Sequence, residues 1–340
     1  MNTIWFAILG ILLIGYAVLD GMDLGIGALH LIIGKDDAER RVNFNIIGPV
    51  WAGYEVWLIT AGGVMVAAFP HLYAAAFSGF YIVLNMVLWL LIMRGGSLEF
   101  RDHNPSKLWR DFWDVVFCVS SALLAVLFGA AVGNVVRGVP LDAAGNFQGS
   151  LLAALNPYAV VVGVLSLVLL SMHGANLVAA KTVGDQSDRA KAIAKKLWYG
   201  VAGLVVIATG LAFWARPDVG DNFVKSPILY ILPLIALAGL VAIAVLQNRD
   251  DFGKAVYAGS ALLIGLMASA GASLYPFLLP ALGSTSGGLT IYNCAASKYT
   301  LETALPLIVI TMAIVIGYHI YIHRVFAGTI KPGGSDEHSY

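Results

Sequence analysis

Charge is scarce in this chain, and that scarcity decides its class. Only 12% of the 340 residues are Asp, Glu, Lys or Arg, against roughly 25% in soluble globular domains. A soluble helical protein needs a charged stripe on every surface helix, and this chain cannot furnish them. Twenty basic and twenty acidic residues cancel, so no basic surface calls for nucleic acid and no acidic tract suggests a solvated tail. Cysteine is nearly absent. Cys118 falls in an apolar segment and Cys294 in a polar loop, which sets them at different depths and argues against a disulfide. No C-x-x-C or Cys/His zinc spacing occurs, so no metal site is expected. The amino-terminal segment is apolar from Ile4 but lacks a basic n-region and a cleavage site. It reads as a first helix rather than a signal peptide.

What is abundant is apolar sequence in long blocks. Hydrophobic residues make up 59% of the chain and mean hydropathy is +0.82. Blocks of about 20 apolar residues are what a hydrocarbon core of roughly 30 Å demands. They fall at 4–33, 46–69, 72–93, 112–136, 157–180, 194–215, 228–246, 252–279 and 299–326. The expected fold is therefore all-α: about nine transmembrane helices in a bundle, forming a single polytopic membrane domain over 1–340. The loops are short, and the longest, about 280–298, is rich in Gly, Ser and Thr. With nine spans, sixteen of the twenty basic residues fall in one set of loops, among them Lys35, Arg40, Arg94, Arg101 and Lys181. Arg137, Arg216, Lys225 and Lys298 make up the other set. The positive-inside rule then sets the N-terminus outside, in the periplasm, and the C-terminus in the cytoplasm.

Ionisable groups inside a bilayer are costly, and each is a candidate functional group. Asp20 and Asp23 sit in the first segment at a spacing that gives them one helix face. His30 continues that face seven residues on. A rise of about 1.5 Å per residue puts Asp20 roughly 24 Å from the outer surface, in the inner part of the core. Glu55 on the second segment and His173 on the fifth come out in the inner half by the same count. Burial favours the neutral forms of these groups, and a line of them opening to the cytoplasm suits inward proton transfer. The alternative is structural: the aspartates pin helices through hydrogen bonds, Gly21 and Gly25 suit close helix packing, and His173 is a packing histidine. Two further classes stay open on the residues alone, a proton-coupled secondary transporter and a membrane anchor.

Several dispersed motifs occur in one order along the chain. They are Gly15 to Gly27 with both aspartates, Asp37-Ala38-Glu39-Arg40-Arg41, Gly48-Pro49-Val50-Trp51, and Glu55-Val56-Trp57-Leu58-Ile59-Thr60-Ala61-Gly62-Gly63. Then come Tyr73 to Tyr81, Gly133-Asn134, Leu155-Asn156-Pro157-Tyr158, His173-Gly174-Ala175 and Leu289 to Asn293. Together they resemble subunit II of the cytochrome bd quinol oxidases, over the whole chain. The resemblance implies nine helices in the bacterial cytoplasmic (inner) membrane and a larger, haem-bearing subunit I as partner. It allows a small accessory membrane subunit and lipid contacts. Haems b and d, or b alone in a cyanide-insensitive branch, belong to the partner, with no cofactor on this chain. The complex oxidises quinol, reduces O2 to water with protons from the cytoplasm, and generates a proton-motive force without pumping. Subunit II supports subunit I and contributes part of the proton route, for which Glu55, Asp20, Asp23 and His173 are the candidates.

One position departs from the pattern. The family commonly carries Asp where this chain has Ala52 and Asn where it has Tyr54, and that Asp is implicated in proton transfer. Ala52 holds no proton. Glu55, one turn on, is the candidate substitute, and the alternative is a route wholly through subunit I.

Overall fold

In hydrocarbon a backbone satisfies its own polar groups most simply as a helix, and the apolar blocks become helices throughout. The computed structural model describes residues 1–142, 144–149, 151–283 and 287–330. Lys331 of the basic count and part of the Gly/Ser/Thr loop lie outside them. The helices are α1 (Asn2–Ala28), α2 (His30–Ile33), α3 (Asp37–Ile47), α4 (Trp51–Ala68), α5 (Pro70–Gly79), α6 (Tyr81–Phe100) and α7 (Lys107–Arg137). After them come α8 (Leu151–Ala154), α9 (Pro157–Lys181), α10 (Asp185–Ala215), α11 (Asp221–Lys225), α12 (Ile231–Asn248), α13 (Phe252–Leu274) and α14 (Lys298–Val325). Among the described residues, eight helices are long and apolar enough to cross a membrane. They become nine if α3 and α4, bent by 48° at their junction, make one span.

Two boundaries differ from the sequence expectation, each for a physical reason. The third apolar block, expected over 72–93, is divided. Pro70 opens α5, the chain bends at Phe80 (φ −98°, ψ 21°), and the span itself is α6, which runs on to Phe100. The eighth block, expected to stay helical to residue 279, stops at Leu274, because Pro276 has no amide hydrogen and disfavours helix at the residue before it. Strand β1 (Phe277–Pro280) comes next, antiparallel to β2 (Gly288–Thr290) in the loop rich in Gly, Ser and Thr.

Helix α9 is the axis of the bundle: 61% of its most apolar stretch is buried, against 33% or less for the other seven spans. It packs on α1, α7, α10 and α13. Asn156 caps its start, accepting from the Ala159 amide at 3.0 Å and donating to Oδ1 of Asn134 on α7 at 2.9 Å. Asn134 in turn donates to the Ala130 and Ala154 carbonyls, each at 2.9 Å. Asn156→Ala removes the cap and strips Asn134 Oδ1 of its donor. It is expected to cost about 1–3 kcal/mol, read as a lower thermal midpoint, with Asn156→Asp, which keeps the capping acceptor, falling between the two.

Candidate functional site

The site is built where α1, α4 and α6 meet. Asp20 and Asp23, 0% and 1% exposed, face inward from α1. The longer course of α6 carries Arg94 into the bundle, 1% exposed, rather than into the loop where the sequence count sets it. Without Arg94 the basic count is fifteen against four, and its direction is unchanged. The Arg94 guanidinium bridges the carboxylates. Nη2 donates to Asp20 Oδ1 at 2.5 Å, and Nη1 donates to Asp20 Oδ2 at 3.1 Å and to Glu55 Oε1 at 3.0 Å. Asp23 Oδ2 stands 3.9 Å from Nη2 and has no hydrogen-bond partner among the described residues. Glu55 is the least enclosed member, with 17% of its side chain exposed on α4. Ala52, one turn away, is on the exposed surface.

Three carboxyl groups thus share one guanidinium. If all three are ionised the cluster carries two uncompensated negative charges in a low-dielectric interior, where charge is strongly penalised. The arrangement is balanced when two of the three hold protons. Such a cluster has more carboxyl groups than its one fixed cation can balance.

Two candidates lie elsewhere. His30 does not extend the aspartate face, because the first helix breaks at Leu29 (φ −99°, ψ 2°) and His30 begins α2. Its Nε2 donates to Asp114 Oδ1 at 3.0 Å, and its Nδ1 accepts from Asn43 at 3.2 Å. Asp114 also accepts from Arg101 Nε at 2.6 Å and from Arg40 Nη1 at 3.2 Å. This second buried network ties α2, α3, α7 and the turn just after α6 together at the end of the bundle where α1 finishes. His173 on α9 is fully buried, but no hydrogen bond or ion pair joins it to the carboxylates among the described residues. It faces the Val18 backbone, neither ring nitrogen makes a hydrogen bond of ordinary geometry, and a methyl added to Gly259 would stand 2.6 Å from Nδ1.

Arg94, Asp114 and Arg101 are the site members that the sequence reading misses. One signal points to Arg94: three acidic groups inside apolar blocks require a buried cation, and Arg94 follows Leu90-Leu91-Ile92-Met93 without a break.

Both ring nitrogens of His30 are engaged and Nδ1 of His173 lies close against Gly259, whereas His319 gives Nδ1 to the Val315 carbonyl at 2.7 Å and keeps Nε2 free among the described residues. No group of three or more His, Cys, Asp or Glu is placed to hold a metal ion among the described residues.

A bundle of apolar spans with its charges folded inward around Arg94 defines a multi-pass membrane protein with an ionisable interior. The comparisons make it specific: the profile of the family described as cytochrome bd terminal oxidase subunit II matches residues 1–326. The chain is 32% identical to the probable cytochrome oxidase subunit 2 of Haemophilus influenzae, over 100% of this chain and 98% of that protein. It is 31% identical to the cytochrome bd-I ubiquinol oxidase subunit 2 of Escherichia coli, over 97% and 95% respectively. The structure of the bd oxidase from Geobacillus thermodenitrificans includes a chain with the same fold, at TM-score 0.79 and 20% identity, covering 96% of this chain and 98% of that one. The chain belongs to the cytochrome bd terminal oxidase subunit II family, and is a subunit of a bacterial membrane oxidase complex. The transporter reading lapses with that assignment.

Proposed function

We propose that this chain is the non-haem subunit of a quinol-oxidising, O2-reducing complex, and that Glu55, Asp20, Asp23 and Arg94 form part of its route for protons from the cytoplasm. The observation that carries this reading is the sharing of one guanidinium, Arg94, by three carboxyl groups, one of which, Glu55, reaches the surface of α4. A salt bridge serving packing alone needs one partner per charge. Surplus carboxyls give the site capacity to take up and release protons with little change in geometry. The haems then sit on the partner subunit, which docks where Glu55 emerges. The excess of basic residues in the loops that follow α1, α6 and α9 supports a cytoplasmic side there. Glu55 serves in place of the carboxylate that Ala52 lacks, and His173 stands outside the route.

Glu55→Gln tests this in the assembled oxidase, because Gln keeps the shape and can still face Arg94 but cannot release a proton. Haem content is expected to be unchanged and quinol-driven O2 consumption to fall roughly tenfold or more, as when a proton-transfer group is lost. Unchanged O2 consumption with intact haem would leave the cluster a structural clamp.

A further inference from the structure

A second set of polar side chains, apart from the Arg94 cluster, joins α4 to α14. Tyr54 is 1% exposed, and its hydroxyl lies 3.0 Å from Nε2 of His323. Its ring stacks on His319, with centroids 5.5 Å apart and planes at 13°, and lies beside His323 at 6.0 Å. His319 is 6% exposed. Its Nδ1 donates to the Val315 carbonyl, so Nε2 is left as an acceptor, and it has no partner among the described residues. A methyl on Gly53 of α4 would stand 3.4 Å from that nitrogen. Only 6% of the most apolar stretch of α14 is buried in this chain, yet its contact with α4 includes two imidazoles and a phenol beside its apolar side chains. Adhesion between membrane helices needs only small or apolar residues, and a buried acceptor without a donor costs free energy.

The placement of these groups suits a path. His323 is exposed, near the end of α14. Lys181 of α9 donates to the Phe326 carbonyl at 2.7 Å, which sets this end of α14 beside the basic end of the bundle. Inward, Tyr54 precedes Glu55 on α4 and lies within electrostatic reach of Asp23 and Asp20. Asp23 Oδ2, like His319 Nε2, is a buried acceptor without a protein donor among the described residues, and buried polar atoms of this kind hold ordered water.

We propose that His323 and Tyr54, with His319 as an inner acceptor, form a proton-loading relay that feeds the Asp23–Arg94–Glu55 cluster and gives this chain an entrance in place of the carboxylate missing at Ala52. The proposal rests on reading that cluster as a proton route. A proton taken from solvent on Nδ1 of His323 makes the ring an imidazolium. Its Nε2 proton passes to the Tyr54 oxygen as the tyrosyl proton leaves inward, through water, to His319 Nε2 or Asp23. Tyrosine stays neutral, histidine returns to its other neutral tautomer, and one proton has entered for each that leaves.

The test compares Tyr54→Phe, His323→Ala and Glu55→Gln in the purified oxidase complex, measuring haem content, quinol-driven O2 consumption, and the effect of millimolar imidazole. Tyr54→Phe and His323→Ala are each expected to slow turnover about tenfold at unchanged haem content. Imidazole restores His323→Ala and leaves Tyr54→Phe slow. Full turnover in both, with Glu55→Gln slow, overturns the relay and leaves the proton route standing. Full turnover in all three removes both. If His323→Ala fails to load haem, Tyr54→Phe decides, since it keeps the ring and its packing. A defect in His323→Ala that imidazole does not relieve, with Tyr54→Phe at full rate, also overturns the relay.

Discussion

An oxidase complex carrying Arg94→Leu is expected to lose most of its assembled, haem-loaded population. Asp20 is 0% exposed, and two Arg94 nitrogens donate to it at 2.5 and 3.1 Å. Leucine leaves the fully buried Asp20, and Glu55 at 3.0 Å, without a cation. Removing one partner of a buried pair costs roughly 3–5 kcal/mol, a large share of the roughly 5–15 kcal/mol by which a folded domain is stable. Arg94→Lys keeps the charge but not the planar fork that spans Asp20 and Glu55, so it should assemble with a lowered thermal midpoint. The informative control is the double variant Arg94→Leu with Asp20→Leu. Replacing both partners by apolar groups is often close to neutral, so the double variant is expected to regain much of the stability lost by Arg94→Leu. Scanning calorimetry of the purified complex, with haem per protein, reads all three. A wild-type midpoint for Arg94→Leu would refute the argument.

The buried cation also explains how far the sequence could be read. Spans were legible because blocks of about 20 apolar residues have few other uses. Asp20, Asp23 and Glu55 were legible because a charge inside such a block stands out. Arg94 was not. It lies at the flank of an apolar block, and the positive-inside count treats a flanking arginine as a loop anchor. The bend at Phe80 shifts the third span toward Phe100 and so sets Arg94 inside. His30 failed for a related reason: helical periodicity does not carry across Leu29, where the backbone leaves the helix. His173 shows a different limit. Counting residues gives depth along a helix axis but not direction around the bundle. A histidine at the right depth can still face Val18 and Gly259 rather than the carboxylates. The pairing of Tyr54 with His323 spans 269 positions, and no local pattern announces it.

Gly25→Val is expected to disable the complex as severely as the loss of Arg94, though it removes no charge. At Gly25 the backbones of α1 and α9 touch: an added Cβ would stand 1.8 Å from the Leu170 carbonyl oxygen and 2.6 Å from its carbon. The facing Gly174 is as tight, with an added Cβ 2.4 Å from the Ile26 nitrogen. Flexible side chains can rotate away from an intruder, but a helix backbone cannot. Ordinary contacts of about 3.5–4.0 Å therefore require the two helices to part by roughly 2 Å at this point. Overpacking usually costs about 1–3 kcal/mol where side chains can adjust, and here the strain should reach the top of that range or beyond. The displacement also reaches the site. Asp23 and Asp20 lie within the two turns of α1 before Gly25, so moving α1 away from α9 alters the bonds between Asp20 and Arg94. Gly10, on the same helix, has no atom within 4 Å of an added Cβ, and Gly10→Ala is expected to behave as wild type. Thermal midpoint and quinol-driven O2 consumption of the two variants check the argument together. A Gly25→Val complex with normal turnover would mean that α1 can move without disturbing the carboxylates, and that the Arg94 cluster does not depend on the α1–α9 contact for its alignment.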